Sequence, residues 1–161
     1  MNIEQIRDEI AELEKRVCEL KKELEEMLWK PEKDEAYWIV NEGGDVSKSY
    51  FEGDEFDIHR IEWGNCYSQR EKAEFEANRE KYTRLFRQYV EQHSEPLDWL
   101  DDTQEKYSVS YEYKNEKLGF GYSLICKDAF IIYASSEEVL QEAIDFVGED
   151  NFKKYILEIK E

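Results

Sequence analysis

One pair of side chains has a spacing that suits hydrolytic chemistry. Glu112 and Lys114 lie two residues apart at the end of a predicted strand, with Asp98, Asp101 and Asp102 upstream. Metal-dependent nucleases use such groups on one strand face to bind Mg²⁺ and activate water. However, 40 acidic residues and 15 lysines in 161 positions give about four such triplets by chance. We therefore predict a protein that is not an enzyme.

Other patterns for catalysis or cofactor binding are missing from the sequence. His59 and His93 are far apart, and neither has a cysteine or histidine at metal-ligand spacing. Gly119 and Gly121 form only part of a phosphate-binding glycine motif, and no predicted helix follows them. We expect no catalytic residues, no cofactor and no bound metal.

Negative charge dominates the chain and is unevenly distributed. The net charge is −18. Residues 94–105 carry −5 without a single positive residue, and residues 41–62 and 134–161 carry −5 each. Such surfaces repel nucleic acid and attract basic protein surfaces. The alternative is that the acidity only confers solubility.

The acidic stretches supply the predicted partner-binding residues. Trp99 lies between two leucines among these carboxylates, so it either docks into a partner's basic-rimmed groove or fixes the loop to the core. The partner-binding set is Asp54, Glu55, Asp57, Glu95, Asp98, Trp99, Asp101, Asp102, Glu137 and Glu138.

The first thirty residues are predicted to form a helix whose apolar face packs against another helix. Apolar residues recur at alternating spacings of three and four, the a/d pattern of a coiled coil. The predicted self-association residues are Ile3, Ile6, Ile10, Leu13, Val17, Leu20, Leu24 and Met27. We expect a homodimer first, a seam covered by a later helix of the same chain second, and a partner's helix third.

The flanking charges do not decide the orientation of this coil. A parallel in-register pair sets Glu9 against Glu14, whereas an antiparallel pair slipped by one heptad sets Glu9 against Arg16. Exposed ion pairs contribute only about 0.2–1 kcal/mol each. The choice between parallel and antiparallel, and the oligomer number, stay open.

Two similar modules are predicted after the coil. Residues 36–93 indicate a hairpin, an extended stretch from Phe56 to Tyr67, and a helix to about Gln92. Residues 106–161 indicate two alternating strands, a third strand at Ala129–Tyr133, and a helix capped by Ser135 or Ser136 and ended by Gly148.

The predicted fold class is therefore α+β. The N-terminal coiled-coil helix, residues 1–30, is followed by two strand-helix modules that share a mixed, mainly antiparallel sheet with helices on one face. An acidic connector, residues 94–105, joins the modules.

Several stretches resemble small acidic proteins from phages and prophages of Gram-positive bacteria. They are residues 37–41, residues 63–68 running into Glu71 and Ala73, and residues 133–137 with Ala143, Ile144 and 148–150. Acidic, coiled-coil proteins of such genomes include inhibitors of host defence nucleases, CRISPR effectors among them. The resemblance thus implies an anti-CRISPR type inhibitor.

Function and location follow as expectations. No run approaches eighteen apolar residues, the N-terminus lacks a signal-peptide core, and three cysteines form no disulfide framework. We expect a protein in the cytoplasm of a bacterial host that contacts neither membrane nor nucleic acid. It would inhibit a host protein through DNA-mimicking acidic surfaces, and the resemblance implies that this host protein is a CRISPR-associated nuclease. The alternative is a coiled-coil assembly or adaptor protein without mimicry.

Overall fold

The computed structural model describes residues 10, 12–17, 19–20 and 29–159, and it confirms an α+β protein. The chain divides into unit 1, which ends at Glu74, and unit 2, Phe75–Glu161. The elements are β1 (Ala36–Val40), β2 (Val46–Tyr50), α1 (Glu55–Glu62), α2 (Arg70–His93), β3 (Lys106–Glu112), β4 (Lys117–Ser123) and α3 (Glu137–Val147). A helical turn at Glu149–Asn151 and a π-helical segment at Phe152–Ile156 follow α3.

Each unit contains one antiparallel hairpin, as predicted. β1 and β2 pair from Ala36 opposite Tyr50 to Val40 opposite Val46. Their turn closes with the N–H of Gly44 donating to the carbonyl of Asn41 at 2.8 Å, and Gly44 has the positive φ of 84° that such a turn requires. β3 and β4 pair along their full length.

The prediction of one shared sheet is wrong, because the described residues form two separate two-stranded sheets. In unit 1 the outer edge of β1 forms an isolated bridge with Tyr67, which exchanges two backbone hydrogen bonds with Trp38 at 2.9 and 3.0 Å. The third strand predicted at Ala129–Tyr133 is likewise wrong. Among the described residues of unit 2, the one isolated bridge outside the hairpin joins Tyr107 and Ala134.

These bridges stay short because a helix follows each one almost at once. α2 starts at Arg70, three residues after Tyr67, and α3 starts at Glu137, three residues after Ala134. In unit 1 the Asn65 side chain extends the bridge by one position, since its amide donates to and accepts from the backbone of Val40 at 2.8 Å in both directions.

The extended stretch predicted from Phe56 to Tyr67 is also wrong. Residues Glu55–Glu62 form α1, which begins where the Asp54 carboxylate accepts the N–H of Asp57 at 2.9 Å. Asp54 is an N-cap and Glu55 lies in the first turn, where acidic side chains stabilise a helix. The alternating Phe56 and Ile58 suggested a strand, but the cap decided the local structure.

A buried hydrogen-bond network joins α1 to the hairpin of unit 1. The Asp57 carboxylate accepts from the Tyr37 hydroxyl, and from the N–H groups of Glu52 and Gly53 at 2.7 and 3.0 Å. Arg60 donates to the Tyr37 oxygen at 2.8 Å. Burial raises the pKa of the Asp57 carboxyl, but the hydrogen bonds outweigh it and hold the pKa below its ordinary value.

The core of unit 2 forms around the predicted stripe of α3. Leu140, Ala143, Ile144 and Val147 are buried. They belong to one cluster with Phe86 and Val90 of α2 and with Phe152. The Ser136 hydroxyl caps α3 by accepting the N–H of Val139, and Gly148 ends it with a φ of 86°. Both caps are confirmed.

The N-terminal prediction is only partly covered by the described residues. Residues 10, 12–17 and 19–20 are helical, and Ile10, Leu13, Val17 and Leu20 are between 47 and 62% exposed. Ile3, Ile6, Leu24 and Met27 lie outside the described residues. The pairing of this helix stays a prediction.

We predict that Asp57→Asn lowers the free energy of unfolding by about 3 kcal/mol at pH 7, because it removes the charge that Arg60 and Tyr37 face. The pKa of Asp57 is lower in the folded state than in the unfolded state. Its contribution is therefore present above about pH 4 and is lost as the pH falls through the folded-state pKa. Urea unfolding curves recorded from pH 3 to pH 7 measure both effects.

The control is Glu42→Gln, an exposed carboxylate in the turn of the same hairpin. It should change the free energy of unfolding by less than about 0.5 kcal/mol. If the two variants unfold alike at pH 7, the Asp57 network does not stabilise unit 1.

Candidate functional site

The acidic connector of unit 2 is an ordered loop. Gln104 closes it, because its side-chain amide donates to the carbonyl of Pro96 at 3.0 Å and accepts the N–H of Asp98 at 2.7 Å. Two such bonds across six to eight residues close the loop on itself.

Two of the predicted acidic residues shape the connector itself. The Asp98 carboxylate accepts the N–H of Leu100 at 2.9 Å. Asp101 accepts the N–H and the hydroxyl of Thr103 at 2.8 and 2.6 Å, and these bonds lower the pKa of Asp101. Both side chains form turns with the backbone two residues on. Both remain exposed, so they shape the loop and still present charge to solvent.

A buried lysine attaches the connector to the loop after β4. Lys106, the first residue of β3, is fully buried, and its ammonium group donates to the carbonyls of Asp101 and Leu124 at 2.6 and 2.7 Å. A buried ammonium group needs such acceptors in place of water. The sequence pattern does not indicate this role for Lys106, since a lysine at the start of a strand ordinarily faces solvent.

Trp99 packs inward. Its ring meets that of Tyr133 edge-on at 5.0 Å between centroids, and the ammonium groups of Lys106 and Lys127 lie 5.5 and 5.7 Å from it. It is half-buried, whereas the neighbouring Leu100 is 95% exposed. These contacts are those of a residue that fixes the loop to the core.

Two serines bring the start of the connector to the start of α3. The Ser94 hydroxyl accepts the N–H of Ser135 at 2.8 Å, and the Ser135 hydroxyl accepts the N–H of Glu95 at 2.9 Å. The backbone of Glu95 is thereby bound to Ser135, which lies two residues before Glu137. Residues that are far apart in the sequence, at 95 and at 137–138, belong to one surface.

The end of the connector reaches the same surface. The Tyr107 hydroxyl donates to the Glu105 carboxylate, and this bond, burial and the negative charges of Glu105, Glu137 and Glu138 raise the pKa of Tyr107 to about 12. We call Glu95, Glu105, Glu137 and Glu138 the acidic junction. Glu105 was not among the predicted site residues, although it lies in the acidic connector.

The acidic junction does not include the remaining predicted acids. Asp54 and Glu55 belong to unit 1, where they begin α1. Asp57 is 3% exposed and bound to Tyr37, so it presents no charge to solvent. Asp102 is an exposed member of the connector.

Glu112 of the candidate nuclease pair has a local structural role, and Lys114 is exposed in the same turn. Glu112 accepts the side-chain amide of Asn115 at 2.6 Å in the β3–β4 turn and lies opposite Lys117 in the hairpin. Within residues 10, 12–17, 19–20 and 29–159, no three histidine, cysteine or acidic side chains lie close enough to hold a metal ion.

Comparisons with known proteins add no relative: no family model, curated protein or solved structure matches the chain. Among the helices in the described part of the chain, none is long and apolar enough to cross a membrane.

We predict that Lys106→Met releases the connector, because the carbonyls of Asp101 and Leu124 lose their shared donor. Methionine preserves the apolar stem, so the core of unit 2 stays packed. The amides of residues 98–104 should exchange with deuterium about 10-fold faster, which corresponds to roughly 1.4 kcal/mol. Mass spectrometry of the connector peptide measures the rate.

The control is Lys117→Met, an exposed lysine at the start of β4. It should leave connector exchange unchanged. Equal exchange in the wild type and Lys106→Met would show that the connector is held by its own turns alone.

Proposed function

We propose that this protein is a non-catalytic inhibitor of the phage type, which binds the basic nucleic-acid-binding surface of a host defence protein such as a CRISPR effector. The acidic junction and connector of unit 2 supply phosphate-like negative charge. The observation that carries the proposal is the convergence of Glu95, Glu105, Glu137 and Glu138 from two distant stretches of the chain.

The charge of this surface is not neutralised within the described residues. The carboxylates of Glu95, Asp102 and Glu137 take part in no hydrogen bond or ion pair there, in contrast to other acids of unit 2. Glu149 pairs with Lys153 at 2.5 Å, and Glu158 pairs with Arg79 at 2.8 Å. Unpaired like charges on one surface repel each other. A basic partner would relieve that repulsion.

Electrostatics of this kind would govern the rate and the selectivity of binding. Facing surfaces of opposite sign accelerate encounter, and salt weakens the effect over a Debye length of about 8 Å at physiological ionic strength. The same surface would exclude nucleic acid itself. Competition with nucleic acid for one basic site is the expected mechanism of inhibition.

We predict that Glu95→Lys/Glu137→Lys weakens capture of the target from host lysate at low salt. Each substitution replaces attraction by repulsion at the acidic junction, and a loss of at least about 10-fold is expected. Binding by the wild-type protein should fall steeply as salt rises. Quantitative pull-down across a salt series measures both effects.

The matched control is Glu42→Lys/Glu116→Lys, which changes the net charge equally at two exposed hairpin turns. It should retain the target. If both double variants lose the target equally, only the total charge matters; if both retain it, the acidic junction is not the contact surface and the mimicry proposal is wrong.

A second candidate function is that of a coiled-coil assembly or adaptor protein. The specific support is the exposure of Ile10, Leu13, Val17 and Leu20 on one helical segment. An apolar stripe of this kind ordinarily finds a second helix. In that case the acidity of the rest of the chain would serve solubility.

Leu13→Lys/Val17→Lys separates the two functions in the full-length chain. For the inhibitor, we predict a shift from dimer to monomer in light scattering, with weaker but detectable target binding because valency is halved. For the adaptor, target binding should disappear completely. If neither the mass in solution nor target binding changes, the apolar stripe of the N-terminal helix has no role in either function.

A further inference from the structure

Unit 2 contains an open hollow of about 730 Å³ between the C-terminal part of α2, the acidic connector and the loop that precedes α3. Val90, Leu97, Trp99 and Tyr133 contribute to its walls, and Phe130 and Ile131 also line it. Its volume lies within the range of pockets that bind ligands. The exposed wall of the hollow is about half apolar and half polar.

Phe130 is the most unusual residue of this hollow. Its side chain is fully exposed, and its backbone has a φ of 70°, in the left-handed region that bulky residues avoid. Glycine would adopt this conformation without strain and without exposing an aromatic ring. Phenylalanine at this position is therefore both strained and fully exposed, and such an aromatic side chain points to a contact with another molecule.

The charge around the hollow restricts the kind of molecule. Glu91, Glu95 and Asp128 line it together with two cations, Arg87 and Lys127. Lys127 already lies over the Trp99 ring.

The connector next to the hollow adds Asp98, Asp101 and Asp102 to this negative charge. Carboxylates therefore outnumber cations around the hollow, which favours a basic segment over an acidic one.

We propose that the hollow binds a basic amphipathic segment of the partner protein. Apolar side chains of that segment pack on Trp99 and Phe130, while its lysines or arginines face Glu91 and Glu95. This inference rests on the proposed function and deepens it, because it adds an apolar anchor to a charged contact. Binding through such an anchor is typical of peptide grooves.

The test uses the full-length protein and three dye-labelled peptides of about 18 residues, five helical turns. The first peptide places Leu on one face of a helix and Lys on the other. The second replaces each Leu by Ser, and the third replaces each Lys by Glu. Fluorescence anisotropy measures the affinities. The Leu/Lys peptide should bind at least about 10-fold more tightly than the Ser/Lys peptide, and the Leu/Glu peptide should not bind.

Phe130→Gly locates the site without threatening the fold, because glycine suits the backbone conformation at this position. This variant should bind the Leu/Lys peptide at least about 10-fold more weakly than the wild type does. Its affinity for the Ser/Lys peptide should be unchanged. The matched control is Phe56→Ala, another exposed phenylalanine, in unit 1. It should bind all three peptides as the wild type does.

The two proposals fail differently. If the Leu/Lys and Ser/Lys peptides bind with equal affinity and Phe130→Gly changes neither, the proposal that the hollow is an apolar binding site is wrong. The proposal of an acidic contact surface would still stand. Binding of the Leu/Glu peptide would show that the bound segment need not be basic, which contradicts the proposal. Self-association that Phe130→Gly abolishes would assign the hollow to a second copy. No binding of either cationic peptide, together with unaltered target capture by Glu95→Lys/Glu137→Lys, would overturn both proposals.

Discussion

The buried ammonium group of Lys106 is the constraint on which the candidate surface depends. A cation removed from water must be solvated by the protein, and here the carbonyls of Asp101 and Leu124 do this at 2.6 and 2.7 Å. Because those carbonyls belong to the connector and to the loop after β4, one charge fixes both segments. Trp99 completes the arrangement, since its ring lies beside Lys106 and against Tyr133.

The same construction occurs in both units with different additions. Each has a hairpin whose first strand forms one extra bridge, at Trp38–Tyr67 or Tyr107–Ala134, before a helix begins. Unit 1 inserts α1 between hairpin and bridge and fastens it through the buried Asp57. Unit 2 has the loop containing Lys127, Phe130 and Ile131 in the corresponding place. The shared frame is structural, and this loop distinguishes unit 2.

The sequence predicted the hairpins and α3 because interactions between residues close in the sequence determine these elements. Period-two alternation fixed β3 and β4, and the Ser136 and Gly148 caps fixed α3. The separate sheets depend on long-range pairing that no local pattern reports. The helix at Glu55–Glu62 was missed because its alternating apolar residues resembled a strand while Asp54 supplied a cap. The acidic connector was predicted, but its junction with α3 required the Ser94 and Ser135 hydrogen bonds.

Charge and apolar exposure occur together on unit 2, and the combination matters more than either alone. A purely acidic surface would attract every basic protein and would lose affinity with salt. A purely apolar hollow would bind without regard to charge and would favour aggregation. In the proposed interaction, carboxylates such as Glu95 beside Phe130 and Trp99 would select partners that offer both features. Specificity would then arise because a partner lacking either one leaves charge unpaired or an aromatic ring in water.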